Sequence, residues 1–222
     1  MAQQDRAIRT RQAILEAAGE VFAECGYSAT RISDVYQRCG VTKGAFYFHF
    51  TSKAELAQAV LDEQVAEQFR YFAPPQEPGA PKIQEWVDVT LLVAHRLTFD
   101  RMLQGSIRLA VDMGHDVVDR KVPYQAWIEV STQLLGEAQE QGELVPGIDV
   151  ATVSDAAVGA FTGVQLLSEI MTNRADVEER IAVLYDLMAR SLATPEVYAR
   201  LEITAERGKR LTRGAATVHS SV

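Results

Sequence analysis

Between Asp5 and Glu24 the apolar residues Ile14, Ala18, Val21 and Phe22 recur at i, i+4, i+7 and i+8. That is the stripe of an amphipathic helix, and Gly26 stands where such a helix would end. Thr30 is placed to cap a second, short helix that carries Ile32 and Val35 and stops at Gly40. Thr42 is placed to cap a third over Lys43–His49. Ser52-Lys53-Ala54-Glu55 has the spacing of a capping box and opens a long fourth helix toward Phe72. Two short helices joined through Arg38-Cys39-Gly40-Val41, with a glycine in the turn, read as a helix-turn-helix.

The stretch APPQEPGAP, Ala73 to Pro81, holds four of the seven prolines and cannot continue a helix, because each proline removes a donor and clashes with the preceding turn. Beyond it helical periodicity resumes over Lys82–Phe99, Arg101–Met113, Tyr124–Gln141, Val150–Thr172, Asp176–Leu192 and Pro195–Arg210, with little β-branched alternation and no hairpin dipeptides. The expected fold is all-α. A three-helix helix-turn-helix domain would occupy 1–52 and a larger helical domain 53–212, with the proline-rich linker 73–81 inside it and a frayed tail at 213–222.

Charge sharpens this division. The 222 residues carry a net charge of −8, but residues 1–53 hold seven Lys/Arg against five Asp/Glu, a net of +2, which leaves −10 for the other 169. A basic head on an acidic body suits docking on a duplex that presents a phosphate charge every ~1.7 Å of axis. The polar start MAQQDRAIRTRQ has no apolar run, and the longest apolar stretch, Val153–Met171, is interrupted by Ser154, Asp155, Thr162, Gln165, Ser168 and Glu169. A cytoplasmic protein without a membrane segment is expected. Cys25 and Cys39 lack a zinc-like set of partners and are expected to be small buried hydrophobes in a reducing compartment. No metal or cofactor is expected, because His49, His95, His115 and His219 have no ligand spacing and no nucleophile, phosphate-loop or dinucleotide motif is present. A helical enzyme or protein-binding adaptor is the remaining alternative, separated from a DNA-binding protein by the salt dependence of duplex affinity.

VTKGAFYFHF, Val41 to Phe50, sets four aromatic rings into five positions. With Lys53 and the acidic helical body, it resembles the TetR family of one-component repressors. Within that family, QDRAIRTRQ at Gln4–Gln12, YQAWIE at Tyr124–Glu129, and GELVPGID with AFTGVQLLSE between Gly142 and Glu169 resemble the γ-butyrolactone-receptor type. The resemblance implies that the third helix enters the major groove. Lys43, Tyr47 and His49 would then reach phosphates, Gly44 and Ala45 would allow close approach, and Arg31, Thr42 and Lys53 would complete the DNA face. Phe46, Phe48 and Phe50 are expected to pack into the small domain's core.

A repressor of this kind needs a sensor. Gln64 on the fourth helix, Trp127, and Thr162, Gln165 and Ser168 in an otherwise apolar helix are the polar groups that could line a pocket for a lactone or butenolide. The alternatives are that Trp127 is a core anchor and that Thr162 bonds its own helix. Gly159 and Gly163, four apart, with Val177, Ile181, Leu184 and Met188 on the next helix, would form a four-helix homodimer bundle. Together these readings give a repressor that leaves a pseudo-palindromic double-stranded operator when its effector binds. A receptor tuned to an antibiotic instead of a hormone lactone is the alternative.

Overall fold

The structure, a computed structural model, describes residues 2–71, 79–112 and 118–219, with side chains for 4–66, 79–112 and 118–213. Among the described residues the elements are α1 (Ala2–Ala29), α2 (Ile32–Arg38), α3 (Lys43–His49), α4 (Lys53–Tyr71), α5 (Lys82–Arg96), α6 (Arg101–Val111), α7 (Lys121–Glu140), α8 (Val150–Thr172), α9 (Val177–Leu192), α10 (Pro195–Tyr198) and α11 (Ala205–His219). The expected linker at 73–81 lies mostly outside the described residues, apart from Gly79 to Pro81 at its end. The segment read as one helix over Pro195–Arg210 is two, and α11 continues into the stretch expected to fray.

Two compact units form, one from Met1–Gln68 with Asp100–Pro123 and one from Phe69–Phe99 with Tyr124–Val222. The first therefore contains α1 to α4 and also α6. Ile14, Leu15, Ala18, Val21 and Phe22 are buried along α1, as the periodicity predicts. Gly26, with φ 72°, breaks the helical path near the end of α1, where the sequence places the end of the first helix. That left-handed backbone is where glycine costs least. Arg108 of α6 satisfies the carbonyls freed there, donating to Ala23 O at 2.8 Å and Glu24 O at 3.1 Å. Higher up, α1 and α6 touch backbone to backbone: a Cβ on Gly105 would stand 2.1 Å from Gly19 O.

In the second unit α5 is buried along most of its length. The buried Glu143 carboxylate caps its first turn, accepting from Lys82 N at 2.7 Å and Ile83 N at 2.8 Å. Such a cap satisfies orphan donors and favours the positive end of the helix dipole. α11 is locked onto α5 by a buried fork in which Arg207 Nε and Nη2 donate to Asp88 at 2.5 and 2.7 Å. Gln84 Nε2 donates to the same carboxylate at 2.7 Å. α8 is inverted relative to a simple core helix. Its buried residues are Ser154, Ala157, Gln165 and Ser168, whereas Leu166, Leu167, Ile170 and Met171 are exposed.

Candidate functional site

α2 and α3 are built from short-range signals. Gly40 takes φ 68° in the turn between them, and Thr42 Oγ1 caps α3 by accepting from Ala45 N at 3.2 Å. Thr30 does not cap α2; its hydroxyl donates to Gly26 O at 2.6 Å. The start of α2 is held instead by Asp34, which accepts from Arg31 N at 3.3 Å. The box before α4 is displaced by one residue: Ser52 Oγ accepts from Glu55 N, but Glu55 reaches back to Thr51 N at 2.7 Å. On α1, Glu24 takes Arg38 of α2 in a fork of 2.7 and 2.8 Å, and Arg38 draws the Glu24 carboxyl below its ordinary range.

Phe46 and Phe50 are fully buried, their rings 6.1 Å apart, and Phe46 also meets Tyr36 at 6.4 Å. These two anchor α3, as expected. Phe48 does not: it is 79% exposed, so its expected core role is wrong. At 3.6 residues per turn, Lys43, Tyr47, Gly44 and Phe48 fall within one arc of about 140°. All four are exposed. Arg31 and Thr42 are exposed beside them, and Ala45 and His49 are half-buried at the edges. The Lys43 ammonium lies 6.0 Å from the Tyr47 ring centre.

Lys53 departs from the expected DNA face. Its ammonium donates to Tyr27 O at 2.8 Å, Thr30 O at 3.0 Å and Ser28 O at 3.4 Å, and sits 4.4 Å from the Tyr27 ring centre. An ammonium has three donors, and here they fasten the start of α4 to the end of α1. The expectation of buried cysteines also fails, because Cys25 is exposed and Cys39 half-buried. Cys39 Sγ spends its proton on Val35 O, 3.2 Å away.

The second unit contains a narrow cavity between α5, α7, α8 and α9. It is lined by Trp86, Val89, Thr90, Trp127, Val130, Ser131, Leu134, Val158 and Tyr185, with room for about two water molecules. Trp86 and Tyr185 pack with ring centres 4.7 Å apart. Trp86 Nε1 donates to Ser131 Oγ at 2.8 Å, which leaves Ser131 its own proton to give. Tyr185 is hydrogen-bonded with Thr90, whose proton goes to Val87 O at 2.7 Å, and burial pushes the phenol up from its ordinary value. Among the described residues this lining carries no charge.

Of the five expected effector residues only Trp127 lines this cavity. Thr162 donates to Val158 O of its own helix at 2.8 Å, and Ser168 donates to Asp176 at 2.6 Å, so both hydroxyls are engaged structurally. Gln64 belongs to the first unit. Gln64 and Gln165 are both buried, and their amide oxygens have no hydrogen-bond partner among the described residues. Sequence reasoning missed Trp86, Thr90, Ser131 and Tyr185 because each reads equally well as core.

The expected dimer residues also divide. Gly159 and Gly163 are exposed, and a Cβ on either would meet nothing in its own chain. Leu184 and Met188 are half-buried. Val177 and Ile181 are fully buried in their own chain, which removes them from any interface. The exposed apolar residues of α9 are Val183 and Leu187.

A helix-turn-helix head with a polar and basic reading face, joined to a helical unit with an uncharged cavity, is the plan of a ligand-sensing transcriptional regulator. Residues 14–60 match the bacterial regulatory proteins of the tetR family, and residues 83–194 match the tetracyclin repressor-like C-terminal domain. The A-factor receptor protein of Streptomyces griseus is 36% identical over 203 residues, 91% of this chain and 70% of that protein. The crystal structure of full-length TylP, a TetR regulator from Streptomyces fradiae, superposes with a TM-score of 0.83 at 43% identity, covering 95% of this chain and 99% of that one. A γ-butyrolactone receptor (ArpA-like protein) gives a TM-score of 0.70 at 27% identity over 94% of this chain and 98% of its own. The chain belongs to the TetR family of DNA-binding transcriptional repressors, whose members bind operator DNA as dimers.

Proposed function

We propose that this protein is a cytoplasmic repressor of antibiotic biosynthesis that leaves a pseudo-palindromic operator when a γ-butyrolactone or butenolide enters the cavity at Trp127. The observation that carries this reading is the uncharged, aromatic lining, which suits a neutral ligand, with Ser131 able to donate to a lactone carbonyl. Relatives named for A-factor and γ-butyrolactone support the same effector class. The cavity is smaller than a lactone ring with its chain, so ligand entry must part the helices that line it. Chain connectivity offers three routes from there to the head, at residues 68–69, 99–100 and 123–124. Two of these flank the segment that carries α6, so α6 can transmit a displacement as well as α4. Arg31, Thr42, Lys43, Gly44, Ala45, Tyr47 and His49 would form the DNA face.

The homodimer would form through α8 and α9. By length and composition alone α8 could cross a membrane. Gly159, Gly163, Leu166 and Ile170 recur at i, i+4, i+7 and i+11, and we assign this outward stripe, with Val183 and Leu187, to a second copy of the chain. Leu187→Asp should place an unpaired charge in that interface and yield monomers in sedimentation; a stable dimer would exclude α9 from it.

The test of the whole reading is operator affinity with and without lactone. Wild type should lose about 5–150-fold in affinity on adding ligand. Trp127→Ala should bind the operator normally and respond little. Full release of Trp127→Ala would move the effector elsewhere, and release of wild type by an antibiotic alone would identify the antibiotic-tuned type.

A further inference from the structure

The outward arc of α3 contains one residue whose exposure has no structural purpose within the chain. Phe48 is 79% exposed and, among the rings of the described residues, meets the neighbouring His49 alone, edge to face at 5.1 Å. An isolated surface phenylalanine needs no explanation, but this one lies beside Lys43, Tyr47 and Gly44 on the face assigned to DNA. Gly44 stands one turn before Phe48, and a Cβ there would meet nothing within 4 Å. The space over Gly44 is open, so a groove floor could approach the backbone of α3 there while the Phe48 ring stays exposed one turn further on. A phenyl ring has no donor or acceptor, so it cannot read the hydrogen-bonding edge of a base. The major-groove feature complementary to it is the C5-methyl group of thymine.

We infer that Phe48 is a specificity-determining residue that packs on a thymine methyl in each operator half-site. The inference rests on the assignment of α3 to the major groove and adds a base to it. Lys43 and Tyr47 on the same arc supply register through the backbone, and Phe48 supplies sequence preference.

The experiment begins with a duplex selected from random sequence by wild-type protein. Each thymine in it is then replaced by uracil, which removes the methyl group and leaves the pairing intact. With wild type, a single uracil at the contacted position of one half-site should weaken binding about fourfold, the worth of one methyl group withdrawn from contact. With Phe48→Ala, whose exposed side chain leaves the fold unchanged by circular dichroism, overall affinity should fall about tenfold and the same uracil should have no further effect. Selection repeated with Phe48→Ala should return a consensus relaxed at that pair. Uracil substitution that is neutral throughout for wild type, or that weakens both proteins equally, overturns the inference. A uniform loss in Phe48→Ala on every duplex also overturns it, and places the ring on sugar and phosphate. Failure of wild type to select any preferred duplex would instead remove the operator reading, and this inference with it.

Discussion

Gly105→Ala tests whether the close crossing of α1 and α6 sets the geometry of the DNA-binding unit. The new Cβ would stand 2.1 Å from Gly19 O, 2.8 Å from Gly19 C and 3.0 Å from Gly19 Cα. All three are backbone atoms, so no rotamer change relieves the clash. Real Cβ atoms essentially never approach within 3.0 Å, and the helices must therefore part by at least the 0.9 Å difference. Overpacking of this kind costs about 1–3 kcal/mol. Replacing glycine by alanine inside a helix returns up to ~1 kcal/mol, which leaves a net loss of up to about 2 kcal/mol and a deficit of about 1–3 kcal/mol against an alanine that meets no clash. Gly136→Ala on α7 is the control, since a Cβ there meets nothing within 4 Å and only the propensity gain applies. Urea unfolding at one fixed protomer concentration reads both effects. The displacement should also reach the reading face, because Glu20 and Glu24 of α1 hold Arg38 of α2. Operator affinity of Gly105→Ala should fall by about fivefold, the lower end of ordinary coupling. If Gly105→Ala is as stable as Gly136→Ala and binds operator like wild type, the crossing neither resists a methyl group nor positions the head.

Lys43 and Lys53 should separate cleanly: Lys43→Ala should reduce the salt slope of operator binding by about one, whereas Lys53→Met should leave the slope unchanged and cost about 1–3 kcal/mol of stability by removing charge-assisted bonds to three carbonyls. Arg207→Met should destabilise the protein by about 3–5 kcal/mol by stranding the buried Asp88, and adding Asp88→Leu should recover most of that loss in thermal unfolding; additive losses would show the fork to be solvated. Asp176 is held down to about 2, first by the hydroxyls of Ser168 and Thr172 and then by Arg180. Because its folded value lies below the ordinary 3.8, the stability it contributes is complete above about pH 4 and is lost as the pH falls toward 2. The stability difference between wild type and Asp176→Asn should therefore shrink over that window; a difference independent of pH would assign the effect to shape instead.

The residues of α3 and its cap could be read directly from the chain. Thr42, Gly40 and the spacing of Phe46 and Phe50 act within one or two turns, through a capping hydrogen bond, a left-handed backbone and a shared helix face, and the bounds Lys43–His49 follow from them. The same locality made α1, α4 and α8 legible, and the run of motifs was enough to recognise the family. What the chain could not reveal is which partner each side chain meets. Lys53 finds carbonyls more than twenty residues earlier, Gly105 finds Gly19, and Arg207 finds Asp88 across 119 positions. Phe48 points outward although its neighbours Phe46 and Phe50 point inward, because a seven-residue helix has only one buried side and two rings already fill it. α8 is apolar on the face that a single chain leaves open and polar on the face it buries, an inversion that composition cannot express. The cavity is likewise a tertiary product: Trp86, Trp127, Ser131 and Tyr185 come from three helices, and each is an ordinary core residue until packing leaves a gap among them. Helix formation depends on neighbours a few residues apart, whereas burial, charge pairing and cavities depend on contacts between distant segments that only the folded chain brings together.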